Sequence, residues 1–236
     1  MVEQSTPSAL AVLFEDRHCL VVMKPARVLT AGDKTGDVSL LDQAKAYHAE
    51  AIGPERKGFL APLHFLDRPV SGVVMFARSS KAAARISDQF RKRTIHKVYQ
   101  ALVWGHPPAD NGVLEDYLSK DKDANVTTVS HAGDKNAKAC KLSYRLLSRC
   151  GRLSLLEVTP ETGRSHQIRV QLASRGMPIF GDRKYGGDGE LEGAIALHAA
   201  SVTFAHPISG EQMTVNAPIP DVWHRIMHKA ARESHA

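Results

Sequence analysis

An acidic residue just ahead of an apolar stretch constrains how this chain can fold. Asp67 lies in the run 64–72 (HFLDRPVSG), and residues 73–77 (VVMFA) are all apolar. Such a stretch predicts a buried strand, which brings the carboxylate to the edge of the core. Burying an ionised carboxylate costs several kcal/mol unless a cation and hydrogen bonds compensate it. The chain must therefore supply a cationic partner for Asp67 or leave this residue at the margin of the core.

A candidate partner occurs in the segment 163–172 (GRSHQIRVQL). Its alternation predicts a strand over 166–173, with His166 and Ile168 on one face and Arg169 on the other. Arg169 is thus the predicted counter-ion of Asp67. Two alternatives stay open: a surface arginine on an edge strand, and an acid that only satisfies backbone donors in a turn.

The patterning elsewhere predicts an α+β fold in which a mixed, mainly antiparallel central sheet is flanked by helices. Helices are predicted over 39–50 and 80–92, and an exposed loop or hairpin over 119–138. The other predicted strands are two within 10–25 and single ones over 73–78, 97–104, 141–148 and 152–159. We expect one domain over 1–236, with an ordered core over about 10–225.

The positive charge is concentrated in one short window. The net charge is +6, and residues 78–97 contain an excess of Lys and Arg over their single acid, Asp88. In a helix over 80–92, capped by Ser79 or Ser80, three cations share the outer side and suit a phosphate backbone: Lys81, Arg85 and Lys92. The alternative interpretation is an ordinary solvated helix face.

Several classes of protein are disfavoured by what the chain lacks. The first 16 residues contain no Lys or Arg, and no apolar stretch is long enough for a bilayer, so we expect neither a secretory signal nor a membrane span. The cysteines Cys19, Cys140 and Cys150 lack metal-ligand spacing, which favours reduced thiols in the cytoplasm. The histidines also lack ligand partners at recognised spacings, so no metal is expected.

The two runs around Asp67 and Arg169 resemble the H-R-L-D-x-x-T-S-G and G-R-T-H-Q-I-R-V-H-L signatures of the RluA-type pseudouridine synthases. The remaining matches follow in the family's order from about residue 12 to 220: an opening hairpin over 12–25, a tyrosine strand over 97–101, a G-D-x-x-Y-G turn over 181–186, and the segments 197–199 and 206–211. Only 66 residues precede Asp67, so we expect no separate N-terminal RNA-binding module.

The resemblance implies an enzyme that detaches uracil from ribose in tRNA or ribosomal RNA, turns the base and rejoins it through carbon. This reaction requires no cofactor, metal or obligatory protein partner. Asp67 is implied as the nucleophile, or as the anion that supports elimination at the sugar. Arg169 is implied to orient Asp67. Tyr99 is implied to stack on uracil and Ile168 to cover its other face.

The resemblance also implies a set of substrate-binding residues. His64 and His166 are expected to hydrogen-bond within the framework of the site, and Ser71 and Gly72 to let the backbone approach the substrate closely.

Arg68 and Arg164 are the next candidate cations. Phe65 stands where the family usually has arginine, which leaves the identity of the target RNA open. Two other functions also stay open: a noncatalytic RNA-binding module on the same scaffold, and a hydrolase that uses Asp67 on a small substrate.

Overall fold

The computed structural model describes residues 10–53 and 58–233. The strands in these ranges are β1 (Val12–Glu15), β2 (Cys19–Lys24), β3 (Ala61–Pro62), β4 (Ser71–Ala77), β5 (His96–Trp104), β6 (Asn111–Asp121), β7 (Val126–Ser130), β8 (Lys138–Cys150), β9 (Leu153–Pro160), β10 (Leu197–Ala205) and β11 (Gln212–Asn216). The helices are α1 (Leu40–Ile52), α2 (Ser80–Lys92), α3 (Gln167–Ala173) and α4 (Asp221–Glu233), with a short 3-10 helix over Arg183–Tyr185.

All the described strands belong to one sheet. Its order is β1-β2-β4-β10-β5-β9-β8-β6-β7, with β3 paired to β4 and β11 to β10. The pairing of β4 with β10 is parallel, and the other pairings between the strands are antiparallel. The predicted α+β architecture, with a mixed and mainly antiparallel sheet, is therefore confirmed.

Helix α2 has the predicted bounds and the predicted kind of cap. The Ser79 side chain accepts a hydrogen bond from the Ala82 N–H, which satisfies one of the free donors at the start of the helix. Ala82 and Ile86 are fully buried, so α2 packs one face on the sheet and turns the other to solvent.

The junction between β4 and β10 determines where Asp67 lies, because β4 begins only a few residues after it. Every residue of β4 is buried. Gly72 has φ +122°, and a Cβ at this position would lie 2.3 Å from the Ala199 carbonyl oxygen. The Ser71 hydroxyl is 2.8 Å from His198 Nδ1. The close approach that was expected at Ser71 and Gly72 is therefore made by strand β10, not left open for a substrate.

The strand predicted over 166–173 was wrong, since Gln167–Ala173 forms helix α3. Gln167, Arg169 and Gln171 alternate with apolar residues, as in a strand with one solvated face, but all three are buried. Their side chains donate to the Lys141 carbonyl, to Asp182 and to the Leu114 carbonyl, so the alternation marks partners inside the protein and not a face turned to solvent.

Other boundaries also differ from expectation. The region 119–138 forms a hairpin of β6 and β7, the second of the two predicted alternatives. Helix α4 extends the folded chain beyond residue 225, to Glu233. Among the described residues, none of the helices combines the length and the apolar character needed to cross a bilayer.

Candidate active site

A cavity of about 440 Å³ lies between the loop that precedes β4, strand β5 and the start of α3. It brings together Asp67, Tyr99 and Arg169, which are far apart in the sequence. The sequence-predicted residues that also line it are His64, Phe65, Arg164, His166 and Ile168.

The predicted contact between Asp67 and Arg169 is present. Arg169 Nη1 donates to Asp67 Oδ2 at 3.0 Å, and the Asp67 side chain is 32% exposed whereas that of Arg169 is 6% exposed. Arg169 also donates through Nε and Nη2 to the two oxygens of Asp182, at 2.7 and 2.8 Å. One guanidinium therefore bridges a buried carboxylate and a partly accessible one.

These two acids offset the cost of burying the charged arginine. Burial acts to lower the pKa of Arg169, but hydrogen bonds and charges from Asp182 and Asp67 outweigh burial and raise it. The guanidinium carbon also lies 5.0 Å from the centroid of the Tyr185 ring, within the range of a cation–π contact. Arg169 is thus a fixed cation whose fork is oriented mainly by Asp182.

Two histidines are held in the wall of the cavity. His166 has φ +53°, its Nδ1 is 2.6 Å from the Tyr185 hydroxyl, and its Nε2 is 3.7 Å from Asp67 Oδ2. Burial lowers the pKa of His166. The expectation that both histidines hydrogen-bond within the framework is met, because His64 Nε2 accepts the Met75 N–H at 3.2 Å. Burial and the charge of Lys97 lower the pKa of His64 to about 3.

Aromatic and aliphatic side chains line the remainder of the cavity. Burial, reinforced by the charge of Asp67, raises the pKa of Tyr99, so its phenol stays protonated. Ile168 belongs to the first turn of α3. Phe65 is 65% exposed, so an aromatic ring stands free at the mouth of the cavity. A planar molecule that enters this space meets one acid, one phenol and apolar surfaces, with the cations Lys97, Arg164 and Arg169 in the same lining.

Comparison with known proteins identifies the family. The model of the RNA pseudouridylate synthase family matches residues 18–174. A protein of Bacillus subtilis described as "Uncharacterized RNA pseudouridine synthase YhcT" is 35% identical over 89% of this chain and 69% of its own length. The "Dual-specificity RNA pseudouridine synthase RluA" of Haemophilus influenzae is 34% identical over 88% of this chain and 92% of its own. This chain belongs to the RNA pseudouridylate synthase family.

A solved structure supports the same fold. Human RNA Pseudouridylate Synthase Domain Containing 4 has a TM-score of 0.78, with 22% identity over 93% of this chain and 92% of its own. The family match and the curated relatives show that this pseudouridine synthase is an isomerase that acts on RNA, and they favour the catalytic interpretation over the noncatalytic one.

Sequence reasoning missed two residues of this synthase that support Asp67. Asp182 lies in the turn over 181–186 that carries part of the family resemblance, but no partner was predicted for its carboxylate. Lys24 is fully buried, and its Nζ donates to the carbonyl oxygens of Val28 at 2.6 Å and Arg68 at 3.2 Å. Lys24 thereby fixes the backbone immediately after Asp67. In the sequence, the only sign of this role was a lysine at the end of an apolar strand.

Several predicted binding residues of the synthase lie outside the cavity. Arg68 is exposed, pairs with Asp37 and donates from Nε to the Arg27 carbonyl. On α2, Arg85 Nη1 donates to the Pro207 carbonyl at 2.5 Å and Lys92 Nζ is 2.8 Å from Asp88. The predicted ridge formed by Lys81, Arg85 and Lys92 is thus exposed, but two of its three cations already have partners.

A group of potential metal ligands lies elsewhere in the described residues. It consists of Asp16, Cys19 and His206, whose ligand atoms lie within 4.8 Å of one another. The Asp16 carboxylate accepts hydrogen bonds from the backbone N–H groups of His18 and Cys19, and lies 2.8 Å from His206 Nε2. These bonds explain the cluster as an acid that caps a turn.

Proposed function

We propose that this enzyme converts uridine to pseudouridine in tRNA or ribosomal RNA of the cytoplasm, with Asp67 as the nucleophile. One observation carries the proposal: a partly accessible carboxylate faces a cavity and is held by an arginine that a second acid orients. Names of relatives support the substrate class, since one is called dual-specificity and a Vibrio cholerae relative, 31% identical, is called ribosomal large subunit pseudouridine synthase C. Free cysteines support the cytoplasm.

The target uridine has to leave its stack before Asp67 can reach it, which costs a few kcal/mol in a helix and less in a loop. We infer that the extruded uracil lies between Tyr99 and Ile168. Phe65, which is exposed at the mouth of the cavity, is suited to stack on a neighbouring base. It cannot replace the hydrogen bonds of the arginine usual at this position, so it bears on which RNA is chosen.

The chemistry then requires an anion beside the glycosidic bond. The bond between uracil nitrogen 1 and ribose breaks while the Asp67 carboxylate either bonds covalently to the base or sugar or supports elimination at the sugar. The base then turns and rejoins ribose through carbon 5, and any bond to the carboxylate breaks again. Carbon 5 then releases its proton, which passes to solvent water. Burial raises the pKa of the Tyr99 phenol, so the phenol stays protonated and is suited to hydrogen-bond the base. It can relay the carbon-5 proton to water only by giving up its own proton in the same step.

Tritium release tests this proposal. RNA transcripts of tRNA and large-subunit ribosomal RNA labelled at uracil carbon 5 should lose tritium to water with the wild-type protein, without added metal or nucleotide. Asp67→Asn should abolish release while RNA binding persists. The matched control is Asp110→Asn, which removes an acid that is 71% exposed and lies outside the cavity. Turnover by Asp67→Asn at the rate of the control would remove Asp67 from the chemistry.

A further inference from the structure

The ammonium group of Lys97 has no evident role in the framework of the site. Lys97 is half-buried on β5, and its side chain lines both the Asp67 cavity and a second cavity beside it. Within residues 10–53 and 58–233 it has no hydrogen-bond or ion-pair partner. Burial lowers its pKa. A partly buried cation without a partner is costly, so a ligand that brings a negative charge would be stabilised there.

The second cavity has a volume of about 440 Å³ and a positive lining. Arg93 and Arg164 join Lys97 in its wall, together with one acid, Glu161. That acid lies 3.6 Å from Lys141 Nζ, which also pairs with Glu115 at 3.1 Å. Three cations against one acid leave the lining of this cavity positive, which suits a phosphate group.

The backbone keeps this lining in place. Arg93 ends α2 in the left-handed conformation, with φ +58°, so the chain turns sharply between the helix and β5. Across the cavity, the Arg164 N–H donates to Gln167 Oε1 at 3.0 Å and Arg164 Nε donates to the Ala139 carbonyl at 3.1 Å. A Cβ on Gly163 would lie 3.7 Å from Lys97 Nζ, so a larger side chain there would crowd the approach to the ammonium.

We propose that Lys97 binds the phosphate group next to the target uridine while the uracil occupies the Asp67 cavity. The inference deepens the proposed function and rests on it. Lys97 and Tyr99 are two residues apart on one strand, so their side chains leave the same face about 7 Å apart. A nucleotide spans a comparable distance from its base to its phosphate. Arg93 and Arg164 then continue the contact to the next phosphate along the chain.

Binding of small probes tests the contact without turnover. The 236-residue chain is titrated with uridine, uridine 3′-monophosphate and uridine 5′-monophosphate, and dissociation constants are taken from the changes in NMR shifts. The wild type should bind one monophosphate about tenfold more tightly than uridine, the increment expected for one charged hydrogen bond. Lys97→Met should lose this preference and Lys97→Arg should keep most of it. The control is Lys229→Met, which removes an exposed lysine outside both cavities.

Besides a Lys97→Met variant that keeps the wild-type preference for a monophosphate, two results of this titration would overturn the inference. The first is a wild type that binds neither monophosphate better than uridine. The second is a Lys97→Met variant that weakens uridine and the monophosphates equally, since Lys97 would then contact the base. Urea midpoints of the variants check that folding is intact.

Turnover gives an independent measurement. For labelled RNA, Lys97→Met should reduce the salt dependence of kcat/KM by somewhat less than one unit of logarithmic slope, as loss of one phosphate contact requires. An unchanged slope with a lower kcat and a shifted pH profile would instead make Lys97 a proton-transfer group, against the inference. If the wild type releases no tritium, the proposed function fails, whereas the phosphate preference can still be measured.

Discussion

The Arg169 bridge yields a prediction about which acid depends on it for stability. Arg169→Met removes three charge-assisted hydrogen bonds and leaves two carboxylates without their cation. Asp182 is 1% exposed and Asp67 is 32% exposed, so water can rehydrate Asp67 but not Asp182. Loss of one partner of a buried pair costs about 3–5 kcal/mol, and most of that cost should arise at Asp182.

The test is a pair of double-mutant cycles in the free energy of unfolding, measured in urea with fluorescence of Trp104 and Trp223. Adding Asp182→Asn to Arg169→Met should restore at least about 2 kcal/mol, because the amide removes the unpaired buried charge. Adding Asp67→Asn should restore less than about 1 kcal/mol, as is typical for an exposed pair. Activity should stay lost in both double variants.

Arg169→Lys is the matched control, since it keeps the charge but not the fork that contacts both oxygens of Asp182. We expect it to fall between the wild type and Arg169→Met in stability. Equal restoration by the two Asn substitutions, or a larger one from Asp67→Asn, would refute the unequal burial on which the reasoning depends.

Two further predictions concern α2 and the cavity wall. Replacing Lys81, Arg85 and Lys92 by Gln should weaken RNA binding and lower the logarithmic salt slope of the affinity by up to about two units. The free energy of unfolding should change by only about 1 kcal/mol. Unchanged affinity and slope would make α2 an ordinary solvated helix face. In the folded protein the pKa of His64 is about 3, below its ordinary value of 6.5. Between pH 6.5 and 3, His64 therefore takes up a proton when the protein unfolds. The contribution of His64 to the free energy of unfolding falls as the pH drops below 6.5. The loss of unfolding free energy should reach about 2 kcal/mol at pH 5 in urea titrations. His64→Gln, whose amide oxygen can still accept the Met75 N–H, should make the stability depend less on pH. An equally steep pH profile in this variant would contradict the lowered pKa of His64.

The sequence predicted those elements whose two faces differ in polarity. Helix α2 has a serine cap and an apolar stripe, and its predicted range 80–92 is the observed one. Strand β5 was predicted over 97–104 and spans His96–Trp104. Helix α3 was missed because its polar residues alternate with apolar ones as in a strand, although they are buried and hydrogen-bond within the protein instead of facing solvent. Packing, not local preference, decides such a segment.

The contact between Asp67 and Arg169 was predicted through a mistaken strand, and it holds for a different reason. The need of a buried acid for a cation is independent of secondary structure, so charge pairing survives an error in the local geometry. The same reasoning, applied to every acid near an apolar run, would have identified Asp182 as a second acid that needs a cation. What sequence could not give is that one arginine serves two acids, because that depends on a turn from another part of the chain.

The order in which the site can form follows from the spacing of its members along the chain. Arg169 and Asp182 are 13 residues apart, whereas Arg169 and Asp67 are 102 apart. Closing the longer loop costs more entropy, so the contact between Arg169 and Asp182 can form earlier during folding than the contact between Arg169 and Asp67. The arginine should then already be oriented when Asp67 arrives with β4. A chain still emerging from the ribosome has no complete site until the turn around Asp182 has been synthesised, so activity begins only once most of the sheet exists.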